Sequence, residues 1–128
     1  MREALKRFWN NQKGVTLIEL LAVVVILGII AAIAAPSVMT NFDSAKTNSD
    51  AQTEAIIKDA VQRFALDNPI PEDGTIKIKV HLVDGGYLQD VPKQSSNNQY
   101  FTEVKITVNA NGKIVFNGFK TANEKPTT

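Results

Sequence analysis

Few side chains in these 128 residues can do chemistry beyond packing. There is no cysteine, which excludes disulfides, thiolate metal sites and thiol nucleophiles, and His81 is the single histidine, which excludes a histidine-rich metal site. Asp67, Glu72 and Asp73 lie close enough in sequence to suggest calcium, yet their spacing matches no EF-hand loop, and a solvated turn is the plainer reading. His81 has no nucleophile or metal partner near it in sequence, so a packing role is expected of it. No nucleophile with its base, phosphate loop or metal cluster can be found, so neither enzyme activity nor a cofactor or metal is expected. What remains is Glu19, one carboxylate at the front of an apolar run. A charge near the middle of a bilayer costs on the order of 2.5 to 3.5 kcal/mol, less near the interface, so an acid retained there suggests a partner.

The element that carries Glu19 is set by hydrophobicity. Residues 20–35 are sixteen residues without a charge, about 24 Å as a helix, and the flanking residues 15–18 and 38–39 extend this to roughly 37 Å. That length crosses a bilayer core of about 30 Å. Away from water the backbone must satisfy its own hydrogen bonds, so helix wins over the low helicity of the β-branched residues. Gly28 and Pro36 are its weak points, and a bend or local loosening is expected between them. Ahead of the run, residues 1–14 carry Arg2, Lys6, Arg7 and Lys13 against Glu3, a net of +3, so the remainder of a chain of net +1 carries −2. Basic residues beside an apolar run hold that end in the cytoplasm. The mildly acidic body offers no counterion-release argument for nucleic-acid binding. A basic segment, an apolar core and the string Ala31-Ala32-Ile33-Ala34-Ala35 also describe a secretory signal with a small-residue cleavage site. That leaves an alternative class, a secreted or membrane-anchored small binding domain behind an ordinary signal or anchor. Glu19 inside the run and Pro36 just past the would-be cut count against it.

Beyond Pro36, Met39, Phe42, Ala45, Ser49, Gln52, Ile56, Ala60 and Phe64 recur at threes and fours, with Ile57 and Val61 beside them, and charged residues lie mostly on other faces. Helix is therefore expected over residues 16–66, near 77 Å if unbroken. Its first half needs lipid or neighbours, and its amphipathic half needs a sheet. Two prolines and a glycine in residues 68–74 end it. Residues 75–80 alternate like a half-buried strand, although residues 80–84 could instead be a helical turn closed by Gly85 and Gly86. Residues 93–99 have the composition of an exposed loop and are a contact surface by exposure alone. Residues 100–108 and 113–120 then read as a β-hairpin, with Gly112 supplying the positive φ of its turn, and the tail, residues 121–128, should fray. The fold class is α+β, with a long N-terminal helix packed on a small C-terminal antiparallel sheet.

With these elements placed, the chain resembles a type IV pilin or pseudopilin precursor. The resemblance is close over residues 13–38, where Lys13-Gly14-Val15-Thr16-Leu17-Ile18-Glu19 opens the apolar run and Pro36 closes it. Gly85-Gly86-Tyr87-Leu88 and Val91-Pro92 also look like the connection before the hairpin in some members. The resemblance implies that residues 1–14 are a leader, cut by a prepilin peptidase between Gly14 and Val15, with Val15 then N-methylated. Residues 15–38 would be the transmembrane and filament-core helix, residues 39–67 its amphipathic half, and residues 68–128 the loop and small sheet of the head. Glu19 would meet the α-ammonium of a neighbouring subunit, an opposite charge that offsets much of its desolvation. Gly28 and Pro36 match positions between which filament subunits of the family lose regular helix. Implied partners are identical or related subunits, the peptidase, membrane lipid before assembly, and an inner-membrane platform with its ATPase. The subunit would span the cytoplasmic membrane once, N-terminus inside, and then stand in a surface or extracellular filament serving adhesion, motility, DNA uptake or secretion. Val15 departs from the Phe or Met usual in the family, and the missing cysteines remove the disulfide that staples many pilin heads.

Overall fold

An apolar run that must satisfy its own backbone can do so within a single helix, and the computed structural model of the chain contains one long helix, α1 (Arg2–Asp67). The structure describes residues 2–127 and the side chains of residues 16–127. The expected cleavage and methylation positions, Gly14 and Val15, lie outside those described side chains. α1 passes through Gly28 and Pro36 without interruption, so the loosening expected there is absent from the single chain. One missing amide donor does not break a helix whose neighbouring turns are complete. Thr40 Oγ1 also donates to the carbonyls of Ser37 (3.0 Å) and Pro36 (3.3 Å), binding the next turn back onto the proline.

The chain divides into two units, Met1–Phe42 and Asp43–Thr128. In the second, α1 supplies Ile57, Ala60, Val61 and Phe64 to a core shared with Ile76, Ile78, Leu82, Val91, Phe101, Val104 and Ile106. The α+β class is thus borne out, a helix on a three-stranded antiparallel sheet in the order β1 (Thr75–Lys77), β2 (Tyr100–Val108), β3 (Ile114–Ala122). The buried face of α1 is rotated from the expected stripe. Ile57, Val61 and Phe64 are its centre, whereas Ile56, Gln52 and Phe42 are exposed. Both Ile56 and Ile57 fit an apolar stripe in sequence, and the position of the sheet decides between them.

β1 is shorter than the expected strand. After Lys77 the chain winds into a π-helical turn, Ile78–Val83, in which Asp84 N–H donates to the Lys79 carbonyl at 2.9 Å. Ile78 and Leu82, four residues apart, thereby both face the core, which a strand continuing with period two would also have sent to one face but too far along the sheet. The Lys77 N–H donates to His81 Nδ1 at 3.0 Å, and the imidazole packs beside Phe64 with ring centroids 5.4 Å apart. Upstream, Gly74 has φ 65°, and a Cβ there would sit 2.3 Å from the Ile106 carbonyl oxygen, so only glycine lets β1 approach β2.

The hairpin forms as expected, with Gly112 at φ 77° and Asn109 Oδ1 accepting from the Lys113 amide at 2.8 Å. The tail does not fray where expected. β3 runs to Ala122, Gln99 Nε2 donates to Asn123 Oδ1 (3.0 Å), and Lys125 pairs with Asp90 (2.7 Å).

The rotated core face makes adjacent isoleucines unequal. Ile57→Ala should destabilise the head by about 2 to 5 kcal/mol, and Ile56→Ala by less than about 0.5 kcal/mol. Chemical denaturation of the two variants, followed by tryptophan-independent far-UV signal, checks this. Equal losses would contradict the core described here.

Candidate assembly site

Hydrophobicity of membrane grade and exposure coincide on the described side chains of the first unit. The helix from Thr16 onward contains a window of mean hydropathy 3.0, and every described side chain from Thr16 to Phe42 is exposed. At about 25 cal/mol per Å² of apolar surface, such a helix cannot rest in water. Lipid or other helices must cover it. Glu19 stands on this helix, and among the described residues it forms no hydrogen bond or ion pair, so any partner for it comes from outside them. Gly28 makes no close approach within the chain, since a Cβ there would meet nothing within 4 Å. Packing inside one subunit does not call for a glycine there. Pro36 completes the set of expected site residues, and Glu19, Gly28 and Pro36 all lie on this one exposed helix, separated by its length rather than gathered into a pocket.

The second unit shows what the carboxylates of the head do. Asp67 and Asp73, considered above for calcium, are engaged in local structure. Tyr87 O–H donates to Asp67 at 2.9 Å while accepting from Asn68 Nδ2, and the hydrogen bond to that carboxylate raises the phenol above its usual range. Asp73 accepts the Thr75 amide at 3.0 Å, which lowers its carboxyl below the ordinary value. These contacts close the end of α1 and start β1.

Asp50 is the residue that sequence reading passed over. It is the buried charged group among the described residues, 9 % exposed. Its two oxygens accept the amides of Ser95 (2.5 Å) and Ser96 (3.2 Å), and Ser49 Oγ meets Ser95 Oγ at 3.1 Å. The exposed loop of residues 93–99 is therefore fastened to α1. Because 45 residues separate Asp50 from its partner Ser95, no local pattern marks the pair. The Ser96 side chain, against the opposing effect of burial and with the Ser95 and Ser96 amides assisting, holds the Asp50 carboxyl below its ordinary 3.8.

A fully exposed apolar helix, fronted by an acid and continuing into a helix-on-sheet head, is the construction of a prepilin-type subunit. Residues 9–35 match the family described as the prokaryotic N-terminal methylation motif. The type II secretion system core protein G of Pseudomonas aeruginosa is 46 % identical over 104 residues, covering 71 % of this chain and 72 % of that protein. Its counterpart from Aeromonas hydrophila is 30 % identical over 103 residues, covering 71 % and 72 %, and that from Vibrio cholerae 29 % over 102 residues, covering 71 % and 70 %. No solved structure matches the chain significantly. The chain belongs to the family of type II secretion system core protein G, prepilin-type pseudopilins. It is accordingly a pilin-like filament subunit, anchored in a membrane by its apolar helix before assembly with other pilin subunits, and its relatives are structural proteins rather than enzymes.

Asp50 sets a pH dependence whose sign follows from its lowered carboxyl. The folded head binds the proton less readily than the unfolded chain, so the stabilisation is complete above 3.8 and is lost as pH falls through the lower folded value. Removing the charged acceptor by Asp50→Ala should cost about 1.5 to 3 kcal/mol at neutral pH. Unfolding measured between neutral pH and pH 2 should show wild type and variant converging only in acid, and a constant gap would contradict the role given to Asp50.

Proposed function

We propose that the chain is a subunit of a type II secretion pseudopilus, processed and assembled in the prepilin manner. The observation that carries this reading is the extent of the similarity. Relatives bearing that name match over about 100 residues, well beyond the motif at residues 9–35, so the head as well as the N-terminal segment is related.

In this reading the chain enters the cytoplasmic membrane with its basic N-terminus inside. A prepilin peptidase removes residues 1–14 by cutting after Gly14, and the new terminus, Val15, is methylated. The cut leaves the apolar helix on the product, unlike an ordinary signal, and creates an α-ammonium at the front of the helix. Residues 15–38 cross the membrane and then form the filament core, residues 39–67 carry the head on their amphipathic part, and residues 68–128 form its loops and sheet. As subunits leave the lipid, exposed side chains from Thr16 to Phe42 exchange acyl chains for neighbouring helices. Apolar packing supplies the attraction. Glu19 supplies register, because its carboxylate is tolerated in the core only beside a neighbour's α-ammonium. Gly28 lets helices approach closely and, with Pro36, marks where α1 yields when the filament is drawn together. The chain has no nucleotide-binding motif, so the work of extraction falls to an assembly platform and its ATPase.

Mass spectrometry of the processed protein should find Val15 at the N-terminus, with the mass of an added methyl group. A terminus at Ala35 would return the chain to the class of secreted domains. Glu19→Ala should be cleaved normally yet fail to enter filaments, because removing one partner of a buried pair costs about 3 to 5 kcal/mol. Filament yield after shear release is the measure, and wild-type yield would dismiss the pairing. Deleting the gene should abolish release of secreted proteins while leaving surface pili in place. The reverse outcome would make the chain a pilus subunit instead.

A further inference from the structure

The sheet of the head has an outer face that the core does not use. Side chains alternate across a sheet, so while Ile76, Val104 and Ile106 enter the core, Thr75, Lys77, Glu103 and Lys105 turn to the other side. Register sets them in two rows, Lys77, Glu103 and Lys120 in one and Thr75, Lys105 and Gly118 in the next. Gly118 has no side chain to fill its place, and a recess of about 210 Å³ opens there beside Lys105, Lys120, Glu103 and Asn117. The charges on this face do not cancel. Lys120 pairs with Glu103 at 3.1 Å, whereas the Lys77 and Lys105 side chains form no hydrogen bond or ion pair among the described residues. Asp73, whose carboxyl feels the Lys105 charge, is held by the Thr75 amide instead. Over residues 75–122, six lysines stand against Asp84, Asp90 and Glu103, a net of +3 in a chain of net +1. An open edge runs beside the rows. β3 pairs with β2 alone, so its far side offers main-chain donors and acceptors with no strand to take them. The register shift that leaves Asn117 without a partner on β2 divides this edge, and residues 118–122 are the part that flanks the lysines.

We propose that residues 118–122 dock an extended acidic segment of a partner protein, which adds to β3 as a fourth strand and sets carboxylates toward Lys120 and, across Gly118, toward Lys105. Three features select this occupant. Surplus ammonium groups call for an acid, and Glu103 in the recess repels a denser polyanion. The open edge calls for an extended backbone, since a nucleic acid or a lipid would leave its donors and acceptors unused. Gly118 sets the reach. Strands lie about 4.8 Å apart, so a carboxylate opposite Gly118 crosses an empty position to Lys105 on β2, while one two residues along meets Lys120 directly. The segment therefore carries acids two residues apart, on one face. The surface lies wholly on the head and does not depend on how the apolar helix is covered.

The test uses the full chain in detergent micelles and a fluorescent synthetic peptide that alternates glutamate with threonine, which when extended puts every carboxylate on one face. Anisotropy titration should show saturable binding, and the same peptide with lysine for glutamate should bind at least about tenfold more weakly. Lys105→Gln, an exposed change that leaves the fold intact, should weaken binding about three- to fivefold. Lys113→Gln, at the hairpin turn, should leave it unchanged. Methylating the peptide's backbone amides reads the added strand. Alternate amides point toward β3, so methylation of one set, the glutamates' or the threonines', should abolish binding, and methylation of the other should spare it. Absence of binding, equal effects of the two methylated sets, or undiminished binding by Lys105→Gln would overturn the proposal. Displacement of the peptide by a short single-stranded oligonucleotide would do the same, making the face a general anion surface. So would self-association of the chain that Lys105→Gln removes, which would make a second copy the occupant.

Discussion

An apolar helix that its own chain leaves uncovered is the constraint on which the rest of this protein depends. Every described side chain from Thr16 to Phe42 faces outward, at a hydropathy that water does not tolerate. Such a surface has two stable environments, hydrocarbon and other helices, and moving between them changes little in hydrophobic free energy because lipid tails and Leu side chains are equally apolar. What distinguishes the two is polar detail. In the proposed reading Glu19, costly in lipid, is satisfied where a cation is supplied, so one carboxylate would bias the helix toward a partner that hydrocarbon does not contain. Gly28, with no neighbour of its own to avoid, bears on the same choice by leaving a backbone open to close approach.

The head has a different task, to stay folded on its own part of α1 without a disulfide. Its core is small, and several contacts outside the core distribute the fastening. Lys58 lies over the rings of Phe116 and Phe119 at 5.7 and 5.8 Å, tying α1 to β3. Asp50 ties α1 to the loop before β2, Tyr87 ties the end of α1 to the turn after the π-helical segment, and Lys125 ties the tail to Asp90. Each joins segments distant in sequence, which is the service a disulfide performs by loop closure, achieved here by contacts that can re-form after a local opening.

Legibility from sequence differed from element to element for physical reasons. The apolar run and Glu19 were legible because a bilayer-length stretch without charge has few soluble explanations, and the hairpin because period-two alternation flanking Asn109 and Gly112 has one good turn. The extent of β1 was not, since the alternation of residues 75–80 is equally compatible with a strand and with a turn that places Ile78 and Leu82 together. The fraying assigned to the tail followed from its composition, which carries no sign of Asp90 or Gln99. Asp50 was invisible for the same reason, its partners lying in a loop that composition marks only as exposed.

Sequence by itself determined the apolar half of α1: local composition over residues 13–36 dictates a membrane-length helix with one acid at its front, because hydrophobicity, helix period and ionisation are properties of neighbours along the chain. Tertiary structure alone decided which face of α1 the head would use. Ile56 and Ile57 have the same chemistry and adjacent places in the pattern, and only the placement of the sheet, set by Gly74 against Ile106 and by the register of β1 on β2, buries one and leaves the other on the surface.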